Sequence, residues 1–578
     1  MRLWLVACLA CACSSSSGSK EPPKSTEPAP KVVEPAPAPP ADDRYDAGAL
    51  GALSFQLTEG TPAARTHFTR GLLALHSFWY DEATREFEAA IAADPKMNMA
   101  YWGAAMSQIK VLWGEDDVGV AAKYLGKMPN PDALSPREQA WILALIGILK
   151  APDVRSSRRT FVQALTQLHT QFPDDESATF LALALLSTTR PEDPDTLDVR
   201  RRAAELANTV YARNPKHPGA AHYMIHAFDT PQLAPQALAM AQAYATIAPA
   251  AFHARHMPAH IFSRLGMWKE AIASCRAAWD ASVAAATREK LSANHHDFHS
   301  LSWLVEMPFE LGRRSEADAA LTTYADAVRA GLGHQHRMQY ATEVASYLRR
   351  TGEWARVDEL LQPLASPAVE EQALPGARTA PTGTCTQPVA ASAGELAEKV
   401  AVLEARALAA SMQRDAAGTK RLVGELDTVR KQLRGALASM MPADVLAKQD
   451  AVHTRARAVL LARAGGNDRA LLAALRTAAT DASAETGGES NPSGFVAHEE
   501  IGELLARMGD HKAAAAAFKL ALTDHPGRAR SLLGAARTQV AIKDLIGAKA
   551  SYEKLLAQWS NADASIDGLA EAKTAVAP

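Results

Sequence analysis

Ala203, Ala237 and Ala271 stand at successive intervals of 34 residues, and Pro215 and Pro249 share that interval. A period of this length restricts the chain to a stack of like units, each too small to bury a core alone. Each alanine begins a helical stretch: "AAELANTVYARNP", "ALAMAQAYATIAP" and "AIASCRAAWDAS". The same rhythm marks both ends of the chain. "GLLALHSFWYDEATREFEAAIAADP" carries Gly71, Tyr80, Ala83, Phe87, Ala90 and Pro95. Near the other end, "GELLARMGDHKAAAAAFKLALTDHP" carries Gly502, Gly509, Ala514, Phe518, Ala521 and Pro526, with Ala548 and Tyr552 in register 34 residues after Ala514 and Phe518. The small residues predict close approach of two helices, the aromatic and the alanine one turn on predict a buried face, and the proline predicts a helix end. Looser units surround the central ones: "TFVQALTQLHTQFP" before them, "GRRSEADAALTTYADAV" and "GEWARVDELLQPL" after.

These positions resemble the tetratricopeptide repeat family over most of residues 60–365 and 496–560. The resemblance implies an all-α superhelix of helix pairs whose first helices line a concave groove that takes a protein or peptide segment. Composition agrees: aromatics make up 6%, strand signals are nearly absent, and long stretches lack proline and glycine. We divide the chain into an N-terminal repeat array (46–365), a loop insertion (366–392), a helical segment without clear repeat signatures (393–485), a C-terminal repeat pair (496–560) and a tail (561–578), helical and then frayed.

The first residues stand apart. "MRLWLVACLACACSSSSGSK" has Arg2, a short apolar run and cysteines followed by serines, and it resembles a bacterial lipoprotein signal. Leu5-Val6-Ala7-Cys8 fits the cleavage pattern but leaves a very short apolar run, whereas Cys11 or Cys13 gives a better length. Cys13 is taken as the lipidated residue, so 1–13 is the signal; an ordinary secretory signal is the alternative. Residues 14–45, rich in proline and alanine, are expected to form an extended tether. The expected setting is the bacterial cell envelope, on the outer membrane through the lipid, with the body in the periplasm or at the surface. Sixty-one basic against sixty-four acidic residues give a net charge of −3 without a basic block, which excludes nucleic acid as a partner.

"HPGAAHYMIHAFDTPQ" (217–232) and "FHARHMPAHIFSRLGMWKEA" (252–271) hold six of the eighteen histidines. Counting from Ala237 and Ala271, His222 and His256 fall at one repeat position, and His226 and His260 at another four residues on. This predicts two stacked pairs facing the groove. His299 and Glu306, in the next unit, fall where they point into the same space. Two chemistries stay open. The four histidines are polar contacts to a bound segment, with Arg255 and Arg264 adding charge-assisted bonds to an acidic partner, or they ligate zinc or copper. Pro258 counts against the simple alignment, because it cannot donate within a helix. The segments His217–Ala227 (HPGA-x-HY-x-IHA) and His256–Ile261 (HMPAHI), with Arg264 and Gly266, resemble a bacterial subgroup of tetratricopeptide proteins, as do "MAYWGAAM" and "SPREQAWILAL". That resemblance names no activity.

Enzyme signatures are poor: there is no His-Glu-x-x-His, phosphate-cradling glycine loop, Gly-x-Ser-x-Gly or Cys-x-x-Cys. Asp229, Asp297 and Glu306 keep metal-assisted hydrolysis open as bases. The expectation is a lipid-anchored binding or scaffold protein with no cofactor, and the alternative is a metal carrier or metal-dependent hydrolase.

Overall fold

The computed structural model describes residues 48–114, 116–190, 193–369, 392–438, 441, 443–482 and 496–577. The expected signal with Cys13, the tether, Cys385 and most of the 366–392 loop lie outside them. Among the described residues there is no strand. The chain forms an all-α solenoid of helix pairs. The pairs are α1 (Pro62–His76) with α2 (Tyr80–Ala93), α3 (Asn98–Met106) with α4 (Val118–Leu125), and α5 (Pro136–Leu149) with α6 (Val154–Gln171). Next come α7 (Asp175–Thr188) with α8 (Thr196–Arg213), and α9 (Pro218–Phe228) with α10 (Leu238–Ile247). Two short helices, α11 (Phe252–His256) and α12 (Pro258–Arg264), together face α13 (Trp268–Glu289). Then α14 (Phe298–Glu306) faces α15 (Arg314–Gly331), and α16 (His334–Thr351) is followed by the short α17 (Val357–Leu361). The remainder is α18 (Ala393–Met412), α19 (Ala416–Leu437), α20 (Ala443–Ala464), α21 (Asp468–Ala482), α22 (Ala497–Arg507), α23 (His511–Asp524), α24 (Ala529–Ala541), α25 (Leu545–Gln558) and α26 (Leu569–Val576).

The repeat residues do physical work at both ends. The Phe87 ring on α2 is wedged between Gly71 of α1 and Gly103 of α3, where an added Cβ would come within 2.9 and 2.3 Å of it. Phe518 on α23 is held in the same way between Gly502 and Gly534, again at 2.9 and 2.3 Å. Only glycine leaves room for an aromatic side chain to fill the space between three helices.

One hydrophobic core runs from Leu50 to Ala409, so the array continues past the loop insertion into α18. Glu398 of α18 receives bonds from Arg337 and His334 of α16, which fixes that continuation. The segment expected to lack repeat character thus packs as further helix pairs. The tail carries the helix α26, whose Leu569 and Ala572 are buried against the last repeats. Two long-range contacts bend the array back on itself. Ala52 N–H donates to Lys216 O at 2.9 Å, and α1 packs on α9, joining the first pair to the fifth. The C-terminal repeats return to the middle, where Ala529 N–H donates to Glu310 Oε2 at 2.6 Å and Trp268 Nε1–H to Gly527 O at 3.0 Å. Among the described residues, no helix is long and apolar enough to cross a membrane.

Candidate metal centre

α9 begins at His217, whose Nδ1 accepts the Ala220 N–H and caps the helix, with Pro218 in its first turn. Four residues separate His222 from His226, so both lie on one helical face. In the next unit Pro258 divides the first helix: α11 ends at His256 and α12 starts at Pro258, with Met257 between. The proline has no N–H to continue the ladder. The break changes which rings meet. His222 Nε2 lies 3.2 Å from His253 Nε2 and 3.0 Å from His226 Nε2. His256 turns toward α14 and pairs with His260, Nε2 to Nε2 at 3.0 Å, while His299 lies edge-on to His256 and stacked against His260.

The two stacked pairs expected from the repeat alignment are therefore replaced by two triads. One is His222, His226 and His253; the other is His256, His260 and His299. Within each, one ligand atom per residue lies within 4.8 Å of the others. His253 takes the place that the alignment assigned to His256.

The expected groove lining is also corrected. His222 and His256 are 0% exposed, His260 is 2%, and His226 and His253 are 8%, so none offers a face to a passing peptide. Arg264 is buried and donates from Nε to Asp229 Oδ1 at 2.9 Å. Arg255 donates to Pro249 O at 2.7 Å, a local backbone contact. Both arginines are thus committed within the chain instead of awaiting an acidic partner. Glu306 is buried at the end of α14, where its charge acts on Glu343, Arg349 and Arg528. The carboxylate that touches the histidines is Asp229.

Hydrogen-bond partners assign where the protons sit. His222 Nδ1 lies 2.7 Å from His76 O, and a carbonyl only accepts, so Nδ1 carries the proton and Nε2 is bare. His260 Nδ1 lies 3.0 Å from Asp229 Oδ2. Burial pushes the Asp229 carboxyl up, but Arg264 and the His260 N–H outweigh it and hold the group far below the usual carboxylate range. It is an acceptor, so the His260 proton is also on Nδ1. His256 Nδ1 faces Ser300 Oγ at 2.9 Å and the buried Cys275 Sγ at 3.5 Å; with the hydroxyl donating to Asp297, we assign the His256 proton to Nδ1. Both Nε2 atoms of the His256–His260 pair are consequently bare, with their lone pairs facing each other at 3.0 Å. Two such nitrogens repel unless a metal ion or a shared proton lies between them. In tetrahedral coordination at roughly 2.0–2.1 Å, two imidazole nitrogens sit about 3.3 Å apart, close to what the rings already adopt. His299 Nε2 is buried without a hydrogen-bond partner among the described residues.

Burial, followed by neighbouring histidines, drives the pKa values of His222, His226, His253 and His256 well below the ordinary histidine range. Burial and His260 push His299 down to about 3. These rings stay neutral at pH 7, which is the ligating form. Each bare Nε2 is backed by an Nδ1–H on a carbonyl, hydroxyl or carboxylate, the arrangement that orients metal-bound histidines.

A third cluster has the opposite character. His76 Nε2 and His217 Nε2 lie 2.8 and 3.1 Å from the two oxygens of Glu176. The Tyr223 hydroxyl serves His76 Nδ1 at 3.0 Å, and the Ala220 N–H serves His217 Nδ1. Every proton there has an acceptor. Burial opposes the Glu176 charge, but the two histidines hold its pKa at about 2. This cluster is a strut. It anchors α1 to α7 and α9, and the His76 carbonyl it positions orients His222.

No family model and no curated protein matches the sequence. Among solved structures, the chain is similar to the Cut9–Hcn1 hetero-tetramer of the APC/C (TM-score 0.27, 9% identity, 77% of this chain and 84% of that one). It is likewise similar to the human IFIT1 dimer with m7Gppp-AAAA (TM-score 0.28, 10% identity, 90% and 91%). Yeast Tom70 gives a TM-score of 0.27 at 10% identity over 88% and 94%. At these scores they add nothing to the helix pairing described above, which defines the molecule as an all-α helix-pair solenoid with a histidine-rich interior.

Proposed function

We propose that the protein is a binding protein whose ligand is a transition-metal ion, held by the buried histidine triads. The observation that carries this reading is the His256–His260 pair, two bare Nε2 atoms 3.0 Å apart whose Nδ1 protons are each committed elsewhere. Apolar packing would not place them so, and a peptide cannot reach them. The reading favours the metal alternative over a groove in which these histidines contact a partner segment. Zinc and copper fit neutral imidazole donors best. Recognition of a protein partner elsewhere on the solenoid is compatible with it. With Cys13 lipidated and 14–45 as a tether, the body works at the cell envelope. Intact mass of the membrane-purified protein checks that part: a mature chain without lipid on Cys13, Cys11 or Cys8 rejects the anchor.

The direct test is metal content of the full chain, purified without a histidine tag or chelator, beside a His226→Ala, His260→Ala double variant. Bound zinc or copper that disappears from a folded variant is expected. A folded wild type that takes up neither metal when offered both rejects the proposal.

A further inference from the structure

The two triads are not independent. α11 is a single five-residue helix, and it supplies His253 to the first triad and His256 to the second. Three residues on a helix advance about 4.5 Å along its axis, so the two sets of donors are within one turn of each other. Ring positions agree: His253 and His256 have centroids 6.1 Å apart, and His226 and His260 6.5 Å. Six rings from α9, α11, α12 and α14 thus share one interior.

Charge narrows what can occupy it. All six donors are imidazole nitrogens, which bring no negative charge to a bound ion. The carboxylate that touches them, Asp229, binds through the far nitrogen of His260 and is already balanced by Arg264. The walls are aromatic: Phe78 lies 4.4 Å from His222, Tyr244 5.2 Å from His222, and Trp303 5.0 and 4.8 Å from His256 and His260, centroid to centroid. Two divalent ions would bring four positive charges into this buried, aromatic-walled space whose donors carry no negative charge, and uncompensated buried charge is costly. Two monovalent ions halve that load. Zinc in a protein completes four-coordination with a further ligand, whereas a cuprous ion is stable with three nitrogens. Resting on the metal-binding reading above, we infer that the two triads form a paired centre for two copper(I) ions, one per triad.

The test uses the full chain under anaerobic conditions, with Cu(I) titrated in competition with bicinchoninate and zinc titrated separately. Two equivalents of Cu(I) are expected, retained against an equal concentration of zinc. His253→Ala should drop the stoichiometry to one, and His299→Ala should do the same through the other triad. Helical circular dichroism confirms that each variant is folded, and the wild-type stoichiometry stands even if one is not. One equivalent in the wild type overturns the pairing but leaves metal binding intact. Two equivalents of zinc that copper(I) cannot displace overturn the copper assignment alone. Uptake of neither ion removes the metal reading itself, and the inference with it.

Discussion

Replacing Asp229 by asparagine exchanges one oxygen for an NH2 at nearly constant volume, and its effect on the site can be worked through atom by atom. Asp229 now accepts from Arg264 Nε at 2.9 Å and from His260 Nδ1 at 3.0 Å. Arg264 can only donate, so it keeps the amide oxygen. The new NH2 then faces His260 Nδ1, and two N–H groups cannot point at each other. The imidazole responds by moving its proton to Nε2, where it donates to the bare His256 Nε2 at 3.0 Å. The metal-free protein gains a hydrogen bond, while the metal loses a ligand atom. Loss of a residue that orients a ligand in this way costs about 10–100-fold in metal affinity, which is about 1.4–2.8 kcal/mol. Arg264 exchanges an ionic bond for a neutral one, at about 1–3 kcal/mol of stability. Asp229→Asn should therefore weaken metal binding in competition with a chelating indicator at pH 7, while helical circular dichroism is unchanged. Wild-type affinity in this variant would show that His260 Nε2 is not a ligand.

Gly103→Ala drives a methyl to 2.3 Å from Phe87, and Gly534→Ala does the same to Phe518. Each should cost about 1–3 kcal/mol in denaturant melts, and the two penalties should add because the rings sit in separate cores. Arg528→Gln strips the buried Glu499 of its partner, bonded at 2.8 Å, beside Glu310 at 3.7 Å. About 3–5 kcal/mol is expected, with limited proteolysis appearing first between α23 and α24; unchanged resistance there contradicts the assignment. Acid should destabilise the fold in two stages. Burial, with Arg528 and Arg264 adding, lowers His525 to about 3, so below 6.5 the unfolded chain takes a proton that the folded one refuses. Burial opposes the Glu499 charge, yet Arg528 holds its pKa at about 2, so its contribution is complete above 4.5 and is lost as pH falls toward 2. Each group contributes a slope of about 1.4 kcal/mol per pH unit within its window. A flat stability profile between pH 6.5 and 3 contradicts both.

The repeat pattern was legible because its residues act on near neighbours. Gly71 and Phe87 lie within one repeat length, so their spacing predicts the close helix approach; Gly103, on the next helix, completes the wedge. Five of the six clustered histidines were legible: His222 and His226, and His256 and His260, because each pair is four apart, and His299 by its place in the next unit. His253 was missed because repeat alignment assumes equal helices, and Pro258 breaks that equality. The signal was present in the sequence as a proline between two histidines of one helix. Burial was not legible. Repeat logic brings each unit against the next, whereas the carbonyl that orients His222 belongs to His76, 146 residues earlier. The two arginines looked like groove charges because nothing in their spacing reveals the buried Asp229 or the Pro249 carbonyl.

That return of α1 onto α9 changes what kind of repeat protein this is. A solenoid is usually extendable: units can be inserted or removed, and folding can begin anywhere and spread. Here the first pair braces the fifth, and the ligands continue into α14, so excising one early unit shifts the His76 carbonyl away from its ring. During synthesis, the first triad is complete only when the strut from α1 has found α9, and the second waits for His299 of α14. The centre is thus assembled late, by a long-range closure that costs chain entropy, and the number of units ahead of it is no longer free to vary.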